Sequence, residues 1–172
     1  MRKSVTCAAV VLFAATSGLA WADTKTLARA GSWEAFGGTT TKGQGVCGIS
    51  AEPAGRYLGL KLFAGAKTFT VQLGTSQWKS YISDGQKLEL TLRFDNNAIW
   101  NATGTGFMFE DGDPGLQFDV NIDEINNFGR EFRTSSKLVL QFENNHVPQW
   151  VMGLDGTMQL YGAFQNCMDR LK

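Results

Sequence analysis

Apolar side chains recur at every second position through most of the chain, which is the spacing of half-buried strands. Leu58, Leu60 and Leu62 alternate with Gly59, Lys61 and Phe63, and Phe69, Val71 and Leu73 alternate with Thr70 and Gln72. Leu88, Leu90, Leu92 and Phe94 alternate with Glu89, Thr91 and Arg93, a run with one wet face. Leu116, Phe118 and Val120 repeat the pattern, as do Leu138, Leu140 and Phe142. Shorter runs predict further strands at Ser32 to Phe36, Gly45 to Ser50, Ile99 to Thr103, Phe107 to Glu110 and Gln149 to Leu154. Asp23 to Ala30 is polar and reads as a loosely held end, and Gly37 to Gly45 as a glycine-threonine loop. Asp84-Gly85 is a hairpin signal. Asp95-Asn96-Asn97 and Asn144 to Pro148 read as connecting turns.

The period changes twice. Ile122, Ile125, Phe128 and Phe132 recur at threes and fours, predicting a helix over 122–132. Asn121 suits its cap, with Glu124 placed as in a capping box and Gly129 weakening the middle. Leu160, Phe164, Cys167, Met168 and Leu171 share one face of a second helix over 158–171, for which Thr157 supplies a capping hydroxyl. With about 8–9 short strands and mostly short links, the expected fold is mainly β: an antiparallel β-sandwich or flattened barrel closed by these two helices.

The start of the chain changes the picture of where this fold works. Arg2 and Lys3 precede an apolar run from Val5 to Thr16, and Ala20-Trp21-Ala22 places small residues where a signal peptidase reads. A signal peptide over 1–22, cleaved between Ala22 and Asp23, is expected, and 23–172 is expected to be one β-rich domain in the periplasm or secreted. The apolar run is too short to span a bilayer, and no other stretch approaches that length. Loss of Arg2 and Lys3 from the 16 basic residues leaves 14 against 16 acidic ones. A charge near −2 gives no footprint for nucleic acid or an anionic membrane surface.

Three cysteines become two after cleavage, Cys47 and Cys167. In an oxidising compartment this pair predicts a disulfide. The loop it closes spans about 120 residues, which the chain-entropy model values on the order of 4–5 kcal/mol.

Candidate chemistry is sparse. His146 is the single histidine, in a polar loop, with no nucleophile motif nearby. Glu110, Asp111 and Asp113 cluster in a turn but lack the length of an EF-hand loop. Glu34 and Glu89 represent the carboxylate pairs from different strands that a glycoside hydrolase would need. Asn101-Ala102-Thr103 matches a glycosylation sequon in a chain whose leader looks bacterial. No cofactor and no metal are expected. Aromatics are the surplus: Trp33 and Trp150 fall on expected core strands, while Trp78, Tyr81 and Trp100 are the candidate binding residues, Trp78 foremost for exposure.

The order of these features resembles that of small exported proteins of the invasion-associated locus B kind from alphaproteobacteria. The likeness comprises the opening strand Ser32-Trp33-Glu34, the cysteine strand Gly45-Val46-Cys47, a β-rich middle, and the close from Leu154-Asp155-Gly156 into Leu160 to Phe164. The chain departs from that pattern in lacking an additional cysteine pair and in the late position of Cys167. The resemblance implies a periplasmic or surface-associated β-sandwich. The expected function is that of an exported, monomeric, non-enzymatic protein, invasion-associated-like, acting by binding a protein or glycan partner in the periplasm or at the envelope surface. A carbohydrate-binding module or an inhibitor of a secreted hydrolase is the alternative.

Overall fold

The alternating runs all become strands. The computed structural model describes residues 23–95, 99–143 and 146–171. The expected signal peptide and the turn residues Asn96, Asn97, Asn144 and Asn145 lie outside the described residues. The described strands are β1 (Asp23–Ala30), β2 (Trp33–Thr39), β3 (Gly45–Ala51), β4 (Arg56–Phe63), β5 (Thr68–Thr75), β6 (Lys87–Phe94), β7 (Ile99–Met108), β8 (Pro114–Asn121), β9 (Lys137–Phe142) and β10 (Trp150–Gly153). They form one ten-stranded sheet in the order β1-β2-β3-β4-β5-β8-β7-β6-β9-β10, with antiparallel neighbours throughout.

Two α-helices cover the inner face, α1 (Ile125–Thr134) and α2 (Thr157–Arg170). Phe128 of α1 meets Phe69, Phe94 and Trp100 edge-on, with centroids 5.1–5.3 Å away. Phe132, one turn on, meets Trp33 in the same way at 5.4 Å. One helix therefore touches β2, β5, β6 and β7, although β2 and β6 stand six places apart in the sheet. Only a sheet curled around the helix permits that. The mainly β, antiparallel architecture with two helices is present, built as a single open sheet with free edges at β1 and β10.

Several local expectations are corrected. The polar segment at Asp23 is a strand, because a two-residue turn at Gly31-Ser32, with Gly31 at φ +58°, folds it back onto β2 over its whole length. Asp84-Gly85 is a turn but joins no hairpin. The hairpin β7–β8 inserts beside β5, so the segment after β5 must cross over to reach β6. Gly85 instead donates its N–H to the Gly106 carbonyl at 2.9 Å. Ahead of α1, Asn121 caps a 3-10 turn (Ile122–Glu124) through the Asp123 N–H at 3.1 Å. The Glu124 carboxylate accepts from Asn127 and not from the cap backbone.

Thr157 does not cap α2 either. Gly156 holds the cap position at φ +108°, where a Cβ would run into the Ala30 carbonyl. The buried Thr157 hydroxyl donates instead to the carbonyls of Leu154 (2.9 Å) and Phe132 (3.0 Å), tying the start of α2 to α1. Gly129, which costs α1 propensity, is where Tyr161 of α2 lies against α1. A side chain there would collide with the Tyr161 ring and hydroxyl. Leu160, Tyr161 and Phe164 are buried beneath the helix, and Cys167 is bonded to Cys47 of β3 with Cα atoms 5.9 Å apart.

Candidate functional site

The aromatic residues singled out in the sequence do not make a surface. Trp78 is 1% exposed; its ring packs edge-on against Phe142 and its indole N–H donates to the Pro148 carbonyl at 3.4 Å. The expectation of exposure fails because the 3-10 turn Ser76–Trp78 swings the ring inward as the chain crosses over from β5. Trp100 is half-buried against Phe128, its indole N–H donating to Glu131 at 2.8 Å. Tyr81 alone of the three is exposed.

The charged candidates have local partners. Glu34 pairs with Arg29 at 3.4 Å, and Glu89 accepts from Thr103 at 2.8 Å. They sit on β2 and β6, which flank α1 from different sides, and both alternate with buried residues and so face solvent, each held by its own neighbour. Asp111 accepts the Asp113 N–H at 3.0 Å, and Asp113 pairs with Lys79 at 2.8 Å. His146 is exposed in its loop.

A concave surface with charged and aromatic lining lies elsewhere, on the outer face of β2 to β5 and β8, apart from an apolar groove at Leu62, Ile122, Ile125 and Met168. Antiparallel register sets Phe36, Gly48, Lys61 and Thr70 in one row across the strands. Ser50, Gly59, Gln72 and Gln117 form the next row, and Tyr57, Gly74, Gly115 and Phe107 the third. Glycine inside a strand marks a place where something lies close across the sheet, and aromatic rings do so here. A Cβ at Gly48 would collide with the Phe36 ring, at Gly59 with Tyr57, at Gly74 with Phe109, and at Gly115 with Phe107 and Phe109. The rings thus form a floor against the strands. Tyr57 meets Phe109 edge-on at 5.3 Å, and Phe109 meets Phe107 at 4.6 Å.

Adjoining cavities open over this floor. One of about 600 Å³ is bounded by Phe36, Tyr57, Lys61, Phe63 and residues of β1, including Lys25 and Arg29. Another of about 290 Å³ runs past Tyr57 and Lys61 to Glu52, Phe109, Asp111 and Asp113. Tyr57 and Lys61 stand between them and line both.

No family model matches the chain, and no curated protein matches it. Among solved structures, the chain is similar to invasion associated protein B from Bartonella henselae. That match has a TM-score of 0.49 and 15% identity, and it covers 84% of this chain and 94% of that one. The loose resemblance in the order of elements has this counterpart, and nothing about function is carried across at such a distance.

The electrostatics of the face centre on Lys61. Its Nζ donates to Gln72 Oε1 at 2.7 Å, and Gln72 passes the chain on to Gln117 at 3.2 Å. The ammonium lies 5.9 Å from the centre of the Tyr57 ring. Among the described residues no carboxylate comes within 4.0 Å of it; Arg29 and Lys79 hold the ion pairs on either side. Burial pulls the Lys61 pKa below the usual lysine value. Burial, then the nearby charges of Glu52 and Glu34, push the Tyr57 hydroxyl up to about 12. Burial thus keeps the phenol neutral, beside a lysine amine bonded to a neutral amide.

The sequence pattern places Phe36 at the end of a strand and Lys61 on the polar side of another, but marks neither of them, nor Tyr57, as part of a site. The signal was there in the in-strand glycines Gly48, Gly59, Gly74 and Gly115, but their partners become apparent only once the register is known.

Proposed function

We propose that the mature chain works outside the cytoplasm as a non-enzymatic binding protein, and that its ligand-binding surface is the outer-face groove around Tyr57 and Lys61. The observation that carries this reading is the aromatic floor with a single half-buried cation that has no acidic partner among the described residues. A half-buried ammonium whose protein acceptor is a neutral amide gains charge-assisted hydrogen bonds when a ligand brings an anionic acceptor to it.

Export is supported by the Cys47–Cys167 disulfide, which suits an oxidising compartment. No helix among the described residues is long and apolar enough to cross a membrane. A role without catalysis is supported by the separate pairing of Glu34 with Arg29, Glu89 with Thr103 and Asp113 with Lys79.

The test is an amide-resonance titration of the isotope-labelled mature chain with fractions of the bacterial envelope. Shifts concentrated on Phe36, Gly48, Tyr57, Gly59, Lys61 and Gln72 are expected. Shifts concentrated instead on the apolar groove at Leu62, Ile122, Ile125 and Met168, or none with any fraction, would overturn the proposal.

A further inference from the structure

We infer that the groove's ligand is a saccharide bearing a carboxylate, its acid group seated on Lys61 and its ring face laid over Tyr57 and Phe36. This assignment rests on the outer face being a binding face and adds the class of ligand. An ammonium has three donors, and the described contacts of Lys61 use one, on Gln72. The two remaining protons fit the two oxygens of one carboxylate. The adjoining cavity carries Glu52, Asp111 and Asp113, whose charge repels a densely anionic ligand such as nucleic acid or polyphosphate. The face thus suits isolated acid groups on a largely neutral molecule.

The floor sets the shape of that molecule. Phe36 lies over Gly48 and Tyr57 over Gly59, so that rings cover the strands where upright side chains would otherwise stand. Such a platform accepts the C–H face of a pyranose, as it would any flat apolar surface. Hydroxyl groups of Thr26, Thr40 and Ser50 line the same cavity and can exchange hydrogen bonds with sugar hydroxyls. At about 600 Å³ the space falls within the usual range for small-ligand sites.

An acidic peptide fits less well. Extended peptides are held by adding a strand to a free sheet edge. Here β3 is laddered to β2 and β4, and β4 to β3 and β5. The floor under Lys61 therefore has no unpaired strand backbone to offer; the free edge of β1 lies at the rim of the larger cavity, and titration with hexaglutamate tests an acidic peptide there.

Calorimetric titration of the mature protein with tri-galacturonate, neutral galactotriose and hexaglutamate separates these chemistries, with Lys61→Met, Lys61→Arg and Tyr57→Ala as variants. Tri-galacturonate should bind at least about tenfold more tightly than galactotriose, and Lys61→Met should remove that advantage while Lys61→Arg keeps most of it. Tyr57→Ala should weaken both saccharides. Thermal unfolding of each variant controls for folding, with Lys61→Gln replacing Lys61→Met should the latter lower the midpoint. Equal binding of the two saccharides, tighter binding of hexaglutamate, or an unchanged Lys61→Met would overturn the assignment. No saccharide binding, together with groove resonances that respond to envelope fractions, would sink the acid-sugar class and leave the binding face standing. Groove resonances that respond to nothing would sink both.

Discussion

The Sγ atom of Cys167 occupies the space above Gly37, where a β-carbon would lie only 2.5 Å from it. Gly37 stands directly opposite Cys47 in the β2–β3 ladder, so the bridge between helix and sheet passes over the one residue type that leaves room. Leu27 Cδ1 closes the other side at 3.2 Å. Gly37→Ala is expected to destabilise the fold by about 1–3 kcal/mol, the usual range for overpacking. Urea denaturation would measure it. In a background where both cysteines are alanine, the same substitution should cost clearly less; an equal cost would show that the sulfur is not the obstacle.

The bridge ties residues 120 apart in sequence. Cys167→Ser should therefore lower the unfolding free energy by several kcal/mol, with about 4–5 kcal/mol as the chain-entropy value. Cys47 points to the inner face and is fully buried, whereas Phe36 and Lys61 face outward. Ligand binding at the groove should thus be retained at temperatures where the variant is folded. Unaltered stability of Cys167→Ser in denaturant would contradict this account.

Gly129 gives a prediction whose sign opposes propensity. Glycine to alanine within a helix normally stabilises by about 0.5–1 kcal/mol. Here the added carbon would meet the Tyr161 ring and hydroxyl, and that ring is further held beneath Arg133 at 4.5 Å. Gly129→Ala should instead destabilise, by about 1–3 kcal/mol. A Tyr161→Leu background should restore the normal gain. A rise in midpoint for Gly129→Ala alone would show that α1 and α2 are less closely packed than this geometry requires.

How far the sequence speaks depends on the range of the interaction. Alternation is a property of neighbours in the chain, so Leu58, Leu60 and Leu62, or Leu88, Leu90 and Leu92, declare both strand and buried face on their own. The face of α2 was legible for the same reason, and the Cys47–Cys167 pair was legible from cysteine count and expected compartment. Pairing partners are a different matter. Nothing local to Asp84-Gly85 says that β8 will take the place beside β5, and that displacement also turns Trp78 inward. The groove is less legible still: Phe36, Lys61 and Tyr57 come from two strands whose rows form only after register is fixed. Gly129 looked like a weakness in a helix because its reason, Tyr161, lies 32 residues later in the chain.

Acid should act through Asp95. Its carboxylate accepts from the Ser136 N–H and hydroxyl, both at 2.8 Å, and from the Lys137 N–H at 3.1 Å. The Ser136 hydrogen bonds lead in holding its pKa below the usual 3.8. A depressed carboxyl pKa stabilises the fold above the unfolded value, and that contribution is lost as pH falls from 3.8 through the folded value. The group is solvent-accessible, so the effect is modest and salt-sensitive. Thermal midpoints of wild type and Asp95→Asn should therefore converge on acidification. A gap of constant size down through that range would argue against the charged contacts.

Alkali should act through Tyr57, and with the opposite direction. In the unfolded chain the phenol ionises near 10.0, and in the fold it is pushed up to about 12, by burial first and then by Glu52 and Glu34. Between those values the unfolded state holds fewer protons than the folded one, so stability falls as pH rises. The contribution is fully present below 10.0 and gone above about 12. Lys61 works the other way: its depressed pKa means that the unfolded chain holds more protons just below 10.5, which raises stability with pH in that window. Tyrosinate absorbance separates the two, because it reports phenol alone. Wild type should show a late ionisation step near pH 12 that is missing in Tyr57→Phe, and the variant should lose less stability between 10.0 and 12. Glu34→Gln, by removing one of the lesser charges, should move that step slightly down and leave it above 10.0. A Tyr57 step at the ordinary phenol value would mean that the ring is wetter than its place over Gly59 allows, and the aromatic floor of the groove would have to be redrawn.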